Sequence, residues 1–225
     1  MSAAKFPRAV LFDLDGTLLD SAPDFVAVLD QMRQRRGLEP VAACAVRPVV
    51  SKGARAMLGV GFPALDDAQR LALVPEFLDT YQALIGQHAQ LFEGVAAMLE
   101  ALEAAGTRWG IVTNKPEYLA RLILPQLGWE GRCAVLIGGD TLSERKPHPL
   151  PLQVAAERIG VPAPACVYVG DDERDIQAAR AAQMPSVAAL WGYRLDSDDP
   201  SRWQADRLSA QAAALVSAEA WPLPA

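Results

Sequence analysis

From about residue 91 onward the chain alternates short apolar runs with helix-length stretches, and this alternation restricts the fold more than any other feature. Apolar runs at 108–112, 133–137, 166–169 and 186–190 are separated by helical patterns at 116–127, 149–159 and 173–182. Strands spaced by helices in this way imply a parallel sheet with helices on its faces. A first strand at 8–13, carrying Val10-Leu11-Phe12, lies far upstream. The stretch between, residues 20–90, reads as helical. Phe25, Leu29 and Met32 recur at i, i+4, i+7, and Leu71, Val74, Leu78, Tyr81 and Ile85 continue a similar stripe. Pro75 marks a kink or a helix start there, and residues 48–61 read as a helix bounded by loops. No strand is expected in this stretch, and a last helix is expected near 206–218. The pattern is that of a doubly wound α/β core, residues 1–19 and 91–225, interrupted by an all-helical insertion at 20–90.

With 225 residues, 51% of them hydrophobic and 21% charged, the chain has room for a substantial core and the composition of an ordinary globular protein. A net charge of −6 argues against a general nucleic-acid binder, which would carry a basic face. Several Asp residues around a divalent cation would account for part of the excess. Cys44, Cys133 and Cys166 show no paired spacing, which suits reduced thiols, and the last two open apolar runs and are expected in the core. No signal-like h-region or membrane-length apolar segment is present. The expectation is a cytoplasmic monomer or homodimer that engages a small molecule, with no nucleic-acid or membrane partner.

Polar residues at the strand ends carry the chemistry. Asp13-Leu14-Asp15-Gly16-Thr17 follows the first strand, Thr113-Asn114 follows Trp109-Gly110-Ile111-Val112, and Gly170-Asp171-Asp172 follows Val167-Tyr168-Val169. The carboxyl ends of strands are where ligands bind in open α/β sheets. A carboxylate at the end of a rigid strand can attack phosphorus, so Asp13 is the candidate nucleophile. Asp15, two residues on, would serve as general acid and then base, with Gly16 allowing the tight turn between them. A plain strand-closing turn would also account for Asp15-Gly16-Thr17 taken alone. Thr113 and the free N–H groups at the following helix start are phosphate donors or, equally, a plain cap. Lys146, stiffened by Pro147 and Pro149, would lie against Asp13 and the phosphate. Asp171 suits a hard cation with oxygen ligands, hence Mg²⁺. Asp172 and Asp175 resemble a capping box and are read as capping or supporting residues.

These four segments, in this order, identify the chain as resembling the haloacid dehalogenase superfamily of aspartate-nucleophile phosphatases. The resemblance covers essentially the whole chain, because the helical insertion stands where that family carries a type 1 cap domain. It implies a Rossmann-like core, a mobile helical cap, Mg²⁺, and hydrolysis of a small phosphomonoester through phospho-Asp13. Asp13 would also ligate the metal, as would the backbone carbonyl of Asp15 and the side chain of Asp171. Thr113, Asn114 and Lys146 would bind phosphate. Within the superfamily, Val112-Thr113-Asn114-Lys115-Pro116, Ile137-Gly138-Gly139-Asp140 and Lys146-Pro147-His148-Pro149 are similar to bacterial phosphoglycolate phosphatases. Asp171 to Asp175, residues 51–57, and Gly192-Tyr193 with Pro200, Trp203, Ala205 and Asp206 are similar to N-acetylmuramic acid 6-phosphate phosphatases. Leu150 departs from the Asp common at that place in the first group, and Lys52 replaces an expected small or neutral residue.

Specificity is expected in the insertion, where Arg47, Lys52 and Arg55 are the cations able to read a substrate carboxylate. Arg55 comes first, since Gly53-Ala54 before it leave approach open. Each of the three would otherwise lie on a solvated helix face. Asp15 and Asp171 count against a haloacid dehalogenase, and Asp15 counts against a phosphonoacetaldehyde hydrolase that would use Lys52. A sugar phosphomutase would keep every motif, whereas a non-catalytic phosphate-binding protein would be expected to lose Asp13 or Asp15.

Overall fold

The computed structural model describes residues 5–222. Its elements run β1 (Ala9–Phe12), β2 (Leu19–Asp20), α1 (Ala22–Gln34), α2 (Ala43–Val46), α3 (Ala54–Gly61), α4 (Asp67–Ala72), α5 (Val74–Leu84) and β3 (Gln90–Leu91). They continue with α6 (Val95–Ala104), β4 (Arg108–Val112), α7 (Glu117–Ile123), β5 (Cys133–Ile137), α8 (Leu150–Ile159), β6 (Cys166–Gly170), α9 (Glu173–Ala181), β7 (Ser186–Ala189) and β8 (Arg207–Ser209). Short 3₁₀ turns include Arg47–Lys52, between α2 and α3. The architecture is α/β: a Rossmann-like parallel sheet with helices on both faces and a helical insertion after the first strand.

Six strands form one parallel sheet in the order β5-β4-β1-β6-β7-β8. All four residues of β1 are buried, as a central strand covered on both faces requires. Its side chains alternate between two cores. Val10 and Phe12 join the larger one with α6 and α7, while Ala9 and Leu11 join the one containing α8 and α9. The chain runs outward from β1 through β4 and β5, then returns to β6 on the other side of β1. Its direction therefore reverses at β1, and the crevice beyond the ends of β1, β4 and β6 is the ligand position such sheets offer.

The insertion is built on α1 and α5, which stack Phe25 on Tyr81 (centroids 4.5 Å apart) and on Phe77 (5.9 Å). Pro75 occupies the first turn of α5, so it starts a helix and does not kink one. Buried Asp24 accepts the backbone N–H groups of Gly86 and His88, each at 2.7 Å, and fastens the start of α1 to the segment after α5. The hydrophobic cluster of this insertion is continuous with the larger core of the sheet.

Two expectations are corrected. Residues 20–90 are not free of strand, because β2 and β3 pair antiparallel where the chain leaves and re-enters the sheet domain. The expected helix at 206–218 is replaced by β8 and a 3₁₀ turn, Ala212–Val216. Ser186 explains the first part of that tail: its N–H (2.8 Å) and hydroxyl (3.1 Å) donate to Asp206, which delivers 207–209 to the open edge of β7. Ala212 and Leu215 then bury themselves in the larger core within a single tight turn. All three cysteines are free; Cys166 is buried, Cys133 half-buried and Cys44 exposed. Among the described residues no helix is long and apolar enough to cross a membrane.

Candidate active site

The acids at the ends of β1 and β6 converge. One carboxylate oxygen from each of Asp13, Asp171 and Asp175 lies within 4.8 Å of the others, and all three residues are buried. Asp13 is oriented through Oδ1, which accepts the Leu14 N–H at 2.7 Å and sits 3.0 Å from Lys146 Nζ. Lys146, only 3% exposed, also pairs with Asp175 at 2.7 Å and donates to the Tyr168 hydroxyl at 2.8 Å. Burial alone would push this ammonium toward neutrality. Asp13 and Asp175 more than offset that and hold its pKa above the ordinary lysine value.

Asp171 is fixed on both oxygens: Thr17 Oγ1 donates to Oδ1 (2.9 Å), while Ser51 Oγ (2.8 Å) and the Tyr193 N–H (2.9 Å) donate to Oδ2. Burial and the charges of Asp13 and Asp175 still push its carboxyl well above the usual range. Burial likewise raises Asp175, up to about 6, against the opposing pull of Lys146. Such a crowd of carboxylates marks a place where positive charge is in short supply. Gly16 makes the close approach possible. It turns with φ +86°, and a Cβ there would collide with the Asp171 carboxylate.

Asp172 caps α9 and forms a capping box with Asp175. Burial opposes its ionisation, but Arg174 and Lys52 prevail and keep it near 2. Asp175 thus does two things, capping through one oxygen (the Asp172 N–H donates to Oδ2 at 3.0 Å) and joining the acid cluster with the other. The capping pattern was visible in the sequence; the second role depends on Lys146, 29 positions away in the chain, and was not.

Asp15 points elsewhere. Its carboxylate takes both oxygens to Lys115 Nζ (2.8 and 2.7 Å) and accepts from Ser21 Oγ at 2.6 Å, so its side chain is outside the acid cluster. Lys115 was not singled out from the sequence, where it stands beside Thr113-Asn114 as one more loop residue. Thr113 is buried and its hydroxyl accepts the Lys115 N–H at 3.2 Å. Asn114 donates its amide to the Lys146 carbonyl at 2.9 Å, which ties the second and third motifs together and leaves its buried Oδ1 without a partner among the described residues. Gly138 and Gly139 press against this loop, and a Cβ on either would strike the backbone of Glu117 or Asn114.

Asp13, Asp15, Thr113, Asn114 and Lys115 line one cavity of about 420 Å³ together with Lys52 and Arg55. Its apolar lining comes from the insertion, with Phe25, Phe77, Leu78 and Tyr81. The three cations of the insertion differ in placement. Arg55 is exposed at this cavity. Lys52 bridges to Asp172 (3.0 Å) and Asp198 (3.1 Å) on the sheet domain. Arg47 is outside the cavity, paired with Asp20 and lying over the rings of Phe92 and Tyr193.

Comparison with known proteins agrees with this geometry. The family model described as haloacid dehalogenase-like hydrolase matches residues 10–189. A protein of Xanthomonas campestris pv. campestris (strain 8004) named phosphoglycolate phosphatase is 70% identical over 220 residues, 98% of this chain and 100% of the relative. A Pseudomonas aeruginosa protein named N-acetylmuramic acid 6-phosphate phosphatase is 43% identical over 200 residues, 88% of each chain. Among solved structures, a predicted phosphoglycolate phosphatase from Haemophilus somnus 129PT superposes with a TM-score of 0.82 at 26% identity, over 96% of this chain and 98% of that one.

Proposed function

The chain belongs to the haloacid dehalogenase-like hydrolase family and is a phosphatase, and from that premise we propose that it hydrolyses 2-phosphoglycolate, a small phosphomonoester, through an aspartyl-phosphate on Asp13. The observation that carries the reading is the placement of two differently held carboxylates on one cavity. Asp13 is braced by Lys146 beside the acid cluster, and Asp15 is held apart by Lys115. Two acids in separate environments are what a nucleophile and a general acid need.

The residues suit a Mg²⁺ ion. The cluster offers only oxygen donors, and three carboxyl groups share one ammonium, so a divalent cation would supply the positive charge they lack. Asp13, Asp171 and the backbone carbonyl of Asp15 would hold the ion, with Asp175 adjoining. When bound, it supplies positive charge to the phosphoryl oxygens.

The chain's own groups account for the rest. Oδ1 of Asp13 is occupied by Leu14 N–H and Lys146, which leaves Oδ2 to attack phosphorus. The P–O bond to the leaving group breaks as Asp15 protonates the ester oxygen. A water then attacks phospho-Asp13, Asp15 takes its proton, and inorganic phosphate leaves with Asp13 restored. Lys146, the Thr113 hydroxyl and the N–H groups of the loop that carries Asn114 would bind the phosphoryl oxygens. Residues 20–90 form the cap and residues 1–19 and 91–225 the catalytic core. Support for this division comes from the β2–β3 ribbon at the two crossings, and from Ser51 and Lys52 reaching Asp171, Asp172 and Asp198. Such a cap would exclude water during turnover, with Arg55 and Lys52 at its cavity face.

Phosphate release with Mg²⁺ tests the reading, comparing kcat/KM for 2-phosphoglycolate, N-acetylmuramic acid 6-phosphate and other sugar phosphates. Preference for 2-phosphoglycolate with loss of turnover in Asp13→Asn supports it, and near wild-type turnover in that variant refutes the nucleophile. One observation favours N-acetylmuramic acid 6-phosphate as the second reading: a cavity of about 420 Å³ exceeds what a two-carbon acid fills.

A further inference from the structure

We propose that Lys115 and Tyr81 form a carboxylate subsite beside the ester oxygen, which selects substrates bearing a carboxylate on the carbon next to the phosphoryl ester. The inference deepens the phosphatase reading above and rests on it. Lys115 is 8% exposed, and both of its hydrogen bonds to side chains go to Asp15. Its ammonium lies over the rings of Phe25 (5.1 Å to the centroid) and Tyr81 (4.5 Å), whose faces stabilise a cation without discharging it. Its backbone is pinned, with the N–H donating to Thr113 Oγ1 (3.2 Å) and the carbonyl accepting from Gly139 (2.8 Å). This is a fixed ammonium, paired with Asp15, on the wall of the substrate cavity.

Tyr81 is the independent observation. It is 1% exposed and lines the same cavity, yet its hydroxyl finds no hydrogen-bond partner among the described residues. Buried hydroxyls are rarely left so. Burial and the charges of Asp15 and Asp24 push its pKa well up, so it remains an O–H donor. A donor and an ammonium on one wall are complementary to a carboxylate. Neither suits an apolar group.

Distance decides where that carboxylate sits on the substrate. As general acid, Asp15 must come within about 3 Å of the ester oxygen, and Lys115 Nζ is 2.7 Å from the Asp15 carboxylate. Lys115 is therefore no more than about 6 Å from the ester oxygen. A carboxylate one carbon removed from that oxygen falls within its reach, whereas the lactyl carboxylate of a muramic acid 6-phosphate lies across the sugar ring. On binding, the substrate carboxylate joins Asp15 as a second partner of Lys115, and Asp15 keeps its place between Lys115 and the ester oxygen. Arg55, exposed on α3, is not part of this subsite.

The test compares kcat/KM for 2-phosphoglycolate and ethyl phosphate, which carries a methyl group where the former has its carboxylate. Both are assayed with Mg²⁺ in wild type, Lys115→Met and Tyr81→Phe. The wild type is expected to prefer 2-phosphoglycolate by about 100-fold or more; Lys115→Met reduces that preference by about 100-fold and Tyr81→Phe by about tenfold, mostly through KM. Equal losses on both esters in both variants would mean that Lys115 acts only on Asp15, and would overturn the subsite. A wild type that turns over both esters equally overturns it too, with the phosphatase reading intact. Failure of the wild type on both esters and on p-nitrophenyl phosphate would remove that reading, and this one with it. Tyr81→Phe keeps the ring packing, so it remains informative even if Lys115→Met does not fold.

Discussion

Replacing Lys146 with Met removes the one ammonium inside the acid cluster while keeping the length of the side chain. Lys146 sits 3.0 Å from Asp13 and 2.7 Å from Asp175, with side chains 2%, 12% and 2% exposed. Breaking such a pair leaves buried carboxylates uncompensated and costs about 3–5 kcal/mol. For a chain of this size each kcal/mol shifts Tm by about 2–4 °C, so in EDTA at neutral pH the variant should melt about 6–20 °C lower. Mg²⁺ should recover much of that. A ligand at 100 times its Kd stabilises the native state by about 2.7 kcal/mol. The variant, whose site lacks its own positive charge, should gain more from Mg²⁺ than the wild type does. Thermal denaturation followed by circular dichroism, with EDTA or with Mg²⁺, measures both quantities. A variant within about 2 °C of wild type in EDTA, or one with a smaller response to Mg²⁺, would refute the charge-balance argument.

Gly16→Ala should lower Tm by about 2–8 °C, from about 1–2 kcal/mol for a side chain at positive φ. Because that Cβ collides with Asp171, the variant should also lose its thermal response to Mg²⁺; a retained response would contradict the close approach. Asp15→Asn should reduce kcat by about 10²–10⁴-fold, and a change under about threefold would remove Asp15 from the mechanism. Lys52→Met severs the bonds from the insertion to Asp172 and Asp198. It should raise KM several-fold with little change in Tm, and steady-state kinetics showing an unaltered KM would count against a role in closure. Glu76, which joins α5 to Arg36 in the turn after α1, has its carboxyl held below the usual value chiefly by the Arg36 hydrogen bond. A depressed folded-state pKa stabilises above the unfolded value and is lost as pH falls through the folded one. The Tm difference between wild type and Glu76→Gln, about 1–3 °C at pH 7 for a partly exposed pair, should therefore shrink and disappear as pH falls below the ordinary glutamate range.

The parts of the molecule legible in the sequence are those whose cause is local. A strand buried on both faces writes itself as a continuous apolar run, and acids immediately after several such runs point to a ligand. That made Asp13, Thr113 and Asp171 visible as a group, and parallel pairing in the order β4-β1-β6 then brings their strand ends together. What was missed depends on partners distant in the chain. Asp175 has a sufficient local explanation as the partner of Asp172 in the capping box, so nothing called for its bond to Lys146. Lys115 meets Asp15 across 100 positions, and the sequence gives it no role beyond its place in the segment after β4. The tail errs in the opposite sense. Its alanines favour a helix on propensity alone, but β7 has an open edge and Asp206 is anchored to Ser186, so pairing takes 207–209 first. The alanines left over are too few, and too near Gly94 at the start of α6, to do more than a 3₁₀ turn. The same contrast applies to function. Motif chemistry is local and indicates a phosphatase; the proposed carboxylate subsite rests on Lys115 and Tyr81, which only the folded chain brings together.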